Sequence, residues 1–329
     1  MQPYRAVIVG CGKIGAMFDF RDSDAVLTHA KAFCLHPFVA LTGVMDVDES
    51  AAVRAADKWG CNPYSDFDNM MGKQQPDIIS LCLPDELHFE YLLRCLEFSP
   101  KAVIAEKPLT MSIAQSREIV KKYHAVDIPI FVNYTRRYDS TVQLLKNRIK
   151  KGEFGKILNV CFKYTKGLLH NGSHAIDMAN FLFGKCLSGK VLGRIIDFSE
   201  SDPTLSAVLS YTGCPEVFLI ACDERAYSIF ESDIIGEKGR ILFDQFGLRY
   251  KEYSVRDDPV FAGYKDLALV REFDTELGQG LLKLVDNVVA YMNDGDRIIC
   301  SGDDALLAQE LCNSLVLTGT YGKQETSCA

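Results

Sequence analysis

The run Ala6-Val7-Ile8-Val9-Gly10-Cys11-Gly12-Lys13-Ile14-Gly15 decides the fold. Its first four residues form an unbroken apolar stretch rich in β-branched side chains, as a central parallel strand covered on both faces requires. The stretch passes directly into Gly-x-Gly-x-x-Gly. Glycines at that spacing permit a tight turn, close approach of a pyrophosphate, and close packing of the next helix on the strand. The N-terminus of that helix would add free N–H groups and the positive end of its dipole. Gly10, Gly12, Lys13, Ile14 and Gly15 are therefore candidate dinucleotide contacts.

Working outward, a second strand, Ala40–Met45, ends in Asp46. A carboxylate there can accept hydrogen bonds from the adenosine ribose and would repel a 2′-phosphate, which favours NAD over NADP. The alternative is a helix N-cap, because Asp46-Val47-Asp48-Glu49 opens an Ala-rich helix. Gly15 to Asp46 exceeds the roughly 20 residues of a compact dinucleotide motif. The excess is assigned to residues 18–28, a polar and aromatic segment that is either an inert loop or a flap over the ligand. A helix is expected near Thr28-His29-Ala30.

A third strand, Asp77–Cys82, ends at Leu83-Pro84-Asp85, and His88 opens the following helix. Leu83, Pro84 and His88 are candidate walls of a cofactor pocket, with a plain helix-start residue as the other reading of His88. The fourth strand, Lys101–Ala105, runs into Glu106-Lys107-Pro108. A helix over Ser112–Tyr123 and a fifth strand, Pro129–Val132, follow. Alternation of strand and helix reads as a parallel sheet with crossover helices, a Rossmann domain over residues 1–133. Ligands of such sheets bind at the carboxyl ends of the strands. Lys107 lies at such an end, beside a proline that takes the chain out of regular pairing. It is a candidate acid/base group, and Glu106 and Lys107 are also candidate cofactor contacts.

After residue 133 the pattern changes. Apolar runs at Ile157–Phe162, Val191–Ile196, Ser206–Tyr211, Val217–Ile220, Ser228–Ile235 and Arg240–Phe243 are joined by short turns. They imply a mostly antiparallel sheet and hence an α+β domain over residues 134–329, closed by amphipathic helices around Leu281–Met292 and Asp304–Leu317. Between the first two runs, α-helical spacing puts His170, His174 and Asp177 on one side. Three readings apply: a capped helix end with a core histidine, a zinc site, or a proton relay using an imidazole that titrates near neutrality. Arg136 and Arg137, after the fifth strand, either bind a substrate phosphate or form salt bridges.

The bulk numbers agree with two ordinary globular domains. The 329 residues are 48% hydrophobic and 24% charged, with a net charge of −8, which excludes the basic face that nucleic-acid binding needs. The twelve cysteines include no Cys-x-x-Cys pair and read as reduced, buried small hydrophobes. No apolar stretch approaches a membrane span, so a cytoplasmic protein with no membrane partner is expected.

The glycine fingerprint, Glu106-Lys107-Pro108 and Gly172-Ser173-His174-Ala175-Ile176-Asp177 resemble the glucose-fructose oxidoreductase / inositol dehydrogenase (Gfo/Idh/MocA) family. Leu83-Pro84-Asp85 with His88, Asn133-Tyr134-Thr135-Arg136-Arg137 and Ser301-Gly302-Asp303-Asp304-Ala305-Leu306 fit the same pattern. The resemblance implies a Rossmann domain, a second domain whose open sheet mediates homodimers or homotetramers, and NAD(P)-dependent oxidoreduction of a sugar, cyclitol or nucleotide-linked sugar. It implies Lys107 as the catalytic lysine and His174 as its partner. Family members often carry an aspartate four residues before that histidine, where this chain has His170. Lys107, Arg136, Arg137, Asn171 and His174 are the candidate substrate contacts, and the arginine pair leans the expectation toward a nucleotide-linked sugar. Two rival functions are NAD-assisted glycoside hydrolysis and a non-catalytic NAD-binding regulator.

Overall fold

The computed structural model describes residues 2–19 and 24–322. The chain divides into two compact units, one of residues 1–139 and 278–307, the other of 140–277 and 308–329. The division falls six residues later than the 133/134 boundary read from the sequence, and the chain returns to the first unit. That return has a backbone cause: Val132 N–H donates to the Cys300 carbonyl, and Phe131 pairs with Ser301, so the returning chain borders the last strand of the first sheet.

The first unit holds a six-stranded parallel sheet of β1 (Tyr4–Val9), β2 (Val39–Met45), β3 (Asn62–Tyr64), β4 (Ile78–Leu81), β5 (Ala102–Ala105) and β6 (Ile130–Val132). The order is β3-β2-β1-β4-β5-β6, the doubly wound arrangement whose direction of winding reverses between β1 and β4. Every residue of β4, β5 and β6 is buried, as expected of strands covered on both faces. The helices α1 (His29–Leu35), α2 (Glu49–Trp59), α3 (Phe67–Gln74), α4 (His88–Leu96) and α5 (Ile113–Ala125) connect them. Thr28, Asp48, Asp66 and Ser112 cap α1, α2, α3 and α5 by accepting backbone N–H bonds. The cap of α2 is Asp48, which leaves Asp46 outside the helix.

The crossover after β1 departs from expectation. The glycine turn leads into a five-residue π turn, Lys13–Met17, and α1 begins only at His29. The segment between is tied at both ends: the buried Asp19 carboxylate accepts from Leu27 N, Thr28 N and Thr28 Oγ, and Lys58 donates to the Ala16, Met17 and Asp19 carbonyls. Of the proposed loop or flap, Phe20–Ser23 lie outside the described residues.

Short helices α6 (Thr135–Tyr138) and α7 (Ser140–Lys150) lead into the second unit. Its nine-stranded sheet contains β7 (Ile157–Tyr164), β8 (Cys186–Ile195), β9 (Thr204–Tyr211), β10 (Cys214–Ala221), β11 (Phe230–Gly236), β12 (Gly239–Asp244), β13 (Arg249–Asp257), β14 (Lys265–Asp274) and β15 (Thr320–Gly322). The order is β14-β13-β12-β11-β7-β10-β9-β8-β15. The β7–β10 pair is parallel and the other pairs are antiparallel, so the sheet is mixed but mostly antiparallel. In β11 buried and half-buried residues alternate, the period-2 pattern of a sheet with one covered face. The helix α8 (Ser173–Phe183) is buried at all but one of its positions. Of the closing helices, α9 (Gly280–Asp294) belongs to the first unit, and α10 (Gly302–Thr318) starts in it. Among the described residues no helix is long and apolar enough to cross a membrane.

Candidate active site

The three glycines of the turn after β1 differ in what surrounds them. A side chain at Gly10, whose φ is +98°, would fall on the Cys82 carbonyl, and one at Gly15 would fall on the Gly10 carbonyl. Gly10 is demanded by packing of the turn against the chain leaving β4, and Gly15 by the fold of the turn on itself. A side chain at Gly12 would meet no atom within 4 Å, so the backbone there faces open space. This is the division of labour a pyrophosphate needs: two glycines fold the turn and the middle one leaves room. The residues present therefore fit a dinucleotide. Lys13 is exposed beside the turn with its ammonium 5.8 Å from the centre of the Phe18 ring, and Ile14 is half-buried.

Asp46 leaves the end of β2 with one carboxylate oxygen 2.9 Å from Cys11 N and the other 3.0 Å from Asp48 N. The first bond ties the acidic residue to the glycine turn itself. Two backbone donors hold the carboxylate beside the turn that would carry the pyrophosphate, where a ribose hydroxyl can reach it. Asp46→Ala is expected to weaken NAD about tenfold, roughly 1.4 kcal/mol, and to weaken NADP less. Fluorescence titration with both cofactors measures this, and an unchanged preference would remove Asp46 from the site.

Across the switch point, the loops after β4 and β5 are fastened to each other. His88, buried at the start of α4, has Nε2 3.0 Å from the Leu83 carbonyl and Nδ1 2.7 Å from the Pro108 carbonyl. It is thus a tie between two strand ends rather than an exposed wall; of the pair before it, Leu83 is half-buried and Pro84 exposed. The Lys107–Pro108 peptide is cis, and Lys107 is half-buried at the carboxyl end of β5. Asp85, in the turn after β4, feels the charges of His88 and Lys107. Burial nevertheless pushes its carboxyl above the ordinary value, against the pull of those two cations.

Glu106 points into the unit. Its Oε1 lies 2.9 Å from His29 Nε2 and accepts from Asn133 Nδ2 at 2.7 Å, while Asn133 Oδ1 accepts from Thr135 Oγ at 2.9 Å. Burial would raise this carboxyl, but the His29 contact, Asn133 and the charge of Lys107 outweigh it and hold the group below its usual range. Glu106 is therefore engaged beneath the crevice, a correction to its reading as a cofactor contact. The sequence reading overlooked His29 as a member of this site, seeing only the start of a helix.

Arg137 corrects a further expectation. Its guanidinium is buried, 2.9 Å from Asp304 and 3.2 Å from the Ile299 carbonyl. Asp304 in turn accepts from Ser301 N and Ser301 Oγ, and its own N–H donates back to Ser301, a reciprocal cap at the start of α10. Arg137 thus belongs to the salt-bridge reading and holds the returning chain. Arg136 is half-buried, and burial pushes its guanidinium down to about 10, with Asp139 opposing the change.

In the second unit the His170 segment is a π turn, Gly167–Gly172, so the α-helical phase assumed for His170, His174 and Asp177 does not run through it. His170 is exposed and stacks on Phe198 with ring centres 4.8 Å apart. The Asp202 carboxylate accepts from the Leu169 and His170 N–H groups and so holds this turn. His174, half-buried in the first turn of α8, meets the Phe230 ring edge-on at 6.4 Å, and Asp177 is buried one turn on. The two histidines thus rest on different aromatic rings. Asn171 donates to the Thr165 carbonyl, so its amide closes the same loop. Among the described residues no group of three or more His, Cys, Asp or Glu side chains gathers as a metal site.

Residues 4–134 match the family described as an oxidoreductase family with an NAD-binding Rossmann fold, Gfo/Idh/MocA. The match covers the Rossmann part of the chain, which is similar to the Gfo/Idh/MocA oxidoreductase family. It is 23% identical over 331 residues to the inositol 2-dehydrogenase of Rhizobium meliloti strain 1021, covering 94% of each chain. Its fold is that of a putative NADPH-dependent oxidoreductase from Desulfitobacterium hafniense, with TM-score 0.80, 14% identity, and coverage of 96% and 95%. The WlbA dehydrogenase of Bordetella pertussis, solved with NADH and UDP-GlcNAcA, has TM-score 0.75, 19% identity, and coverage of 98% and 99%. The open backbone at Gly12 and the carboxylate at Asp46 are the places where this chain would hold a dinucleotide.

Proposed function

We propose that this chain is an NAD-dependent dehydrogenase of the Gfo/Idh/MocA family, acting reversibly on a ring CH–OH of a free sugar or cyclitol. One observation carries the reading: Lys107 follows β5 in the same sheet in which β1 leads into the open turn at Gly12. NAD, when bound, supplies the hydride acceptor. Gly10, Gly12 and Gly15 shape its cradle and Asp46 sets its preference over NADP. Lys107 takes the hydroxyl proton in one direction and returns it in the other, as a general base and acid. By the family resemblance His174 is a second candidate proton-transfer group.

The inositol 2-dehydrogenase among the relatives supports the substrate class. Engagement of Arg137 by Asp304 removes half of the argument for a nucleotide-linked sugar and moves the reading toward a free polyol. The test follows NADH absorbance with NAD and a panel of cyclitols, free sugars, glycosides and UDP-linked sugars. Higher kcat/KM on a free sugar or cyclitol than on any UDP-linked sugar is the expected result. Turnover confined to UDP-linked sugars would overturn the substrate assignment. Sugar release from a glycoside without net NADH would mean that the hydride is returned within each turnover, and NAD binding with no turnover of any kind would mean a regulator.

A further inference from the structure

Below Lys107 runs a line of polar groups that none of the roles above uses. Ser80 Oγ on β4 is 2.9 Å from His29 Nδ1, His29 Nε2 is 2.9 Å from Glu106 Oε1, and Asn133 Nδ2 donates to that same oxygen. His29 and Ser80 are completely buried and Asn133 nearly so. A carboxylate only accepts, so His29 must place a proton on Nε2. Ser80 Oγ also lies 3.6 Å from Cys82 Sγ. The hydroxyl can donate there and accept from a second imidazole proton on Nδ1, so both protons of an imidazolium have places.

We propose that His29 and Glu106 form a buried imidazolium–carboxylate pair that sets the charge felt by Lys107, which makes His29 a positioning residue of the active site. The inference rests on the reading of Lys107 as the acid/base group. A lone carboxylate adjacent to the lysine would hold its proton on. With an imidazolium on the far side of Glu106, the lysine faces a dipole, whose field falls off faster than that of a net charge. Burial works against a charge on His29, while Cys82 and Glu106 raise its imidazole to about 10, and the partners at Nδ1 and Nε2 give both protons of the charged form a place. Asp85, in the turn after β4, also interacts with Lys107, and Glu86 and His88 act on Asp85 in turn; these groups are common to every variant below.

The two partners make opposite predictions. His29→Asn leaves Glu106 as an unbalanced carboxylate, so Lys107 should lose its proton at a higher pH, by about 1 pH unit. Glu106→Gln removes the carboxylate and lets the buried imidazole go neutral, so Lys107 should lose its proton at a lower pH. The double variant should follow Glu106→Gln. Ser80→Ala, a milder change, withdraws the Nδ1 partner and should act in the direction of His29→Asn.

The readout is the rate of Lys107 acylation by acetic anhydride against pH, followed by mass spectrometry of the peptide, with the pH profile of kcat/KM measured alongside. Thermal unfolding and NAD titration identify variants that have lost the fold; if His29→Asn is one, the Ser80→Ala and Glu106→Gln pair still tests the sign. Opposite displacements in the labelling profile are the expected result. Profiles that coincide with the parent, or that move in the same direction, overturn the proposal. Retained turnover in Lys107→Ala would refute the acid/base reading alone, because the labelling profiles still report on the pair.

Discussion

Lys107→Ala is expected to lower kcat/KM about a thousandfold, within the range that a positioned acid/base group contributes, while NAD affinity stays within a few fold. The separation follows from where the residues sit. Contacts assigned to the cofactor lie just after β1 and β2, at Gly12 and Asp46, whereas Lys107 lies just after β5. Between them β4 ends in a loop tied by His88 to the Pro108 carbonyl, and that tie uses backbone atoms which the substitution leaves in place. Glu106 keeps His29 and Asn133, so the ground beneath the crevice is also preserved. Lys107→Arg sharpens the test. Arginine keeps the positive charge but does not release a proton in the working range. If Lys107 moved no proton and acted as a fixed cation, the arginine variant would recover much of the rate. Loss comparable to that of the alanine variant, with partial rescue of Lys107→Ala by added methylamine, is the result that the acid/base role requires. Steady-state kinetics with the substrate found in the panel, together with fluorescence titration of NAD, decides it, and full activity of Lys107→Ala would end the assignment.

Local patterns carried the first unit further than the second. The β1 strand, the three glycines, Asp46 and Lys107 are all marked by short-range signals: a β-branched run, glycines at fixed spacing, and polar residues at strand ends. β3 was not legible, because Asn62-Pro63-Tyr64 is three residues long and contains a proline. β13 and β14 were missed for a different reason. Arg249–Asp257 carries charges where a buried face should alternate, and the alternation becomes intelligible only when Glu252 is seen to face Arg148 and Arg271. The placing of α9 in the first unit was hidden too, since an amphipathic helix does not state which core it covers. His29 illustrates the hardest class. A single histidine in a seven-residue helix has no periodic signature, and its partners Ser80 and Glu106, with Asn133 bonded to Glu106 in turn, come from three separate strands or the residues after them. Only the sheet order brings them together. The π turn at Gly167–Gly172 defeated helical spacing in the same way, because that spacing assumes an α-helix throughout.

Glu252 also supports the largest stability effect expected in the second unit. Its carboxylate receives Arg148 through two bonds, Nη1 at 2.7 Å and Nη2 at 2.8 Å, with Arg271 Nε at 3.0 Å and Tyr250 OH at 2.7 Å. The glutamate side chain is only 8% exposed and that of Arg148 14%, so α7 is joined to β13 by an ion pair largely withdrawn from water. Burial opposes the charge, but Arg148, Tyr250 and Arg271 prevail and push the carboxyl down to about 2. Removing one member of such a pair leaves the other charge buried, which costs about 3 kcal/mol or more. Glu252→Ala should therefore unfold at markedly lower urea, whereas Glu252→Leu combined with Arg148→Met should recover most of the loss, because the buried cation is then gone and Arg271, 44% exposed, can turn to water. The pH dependence has a definite sign. The carboxyl binds its proton near 4.5 when unfolded and only near 2 when folded, so its contribution is complete above about 4.5 and is lost as the pH falls from there toward 2. The advantage of the parent chain over Glu252→Ala should thus be constant from pH 7 to about 5 and shrink below 4.5. Urea unfolding of both chains across that range measures it. An advantage that stays undiminished at pH 3.5 would mean that the glutamate acts through packing and not through its charge.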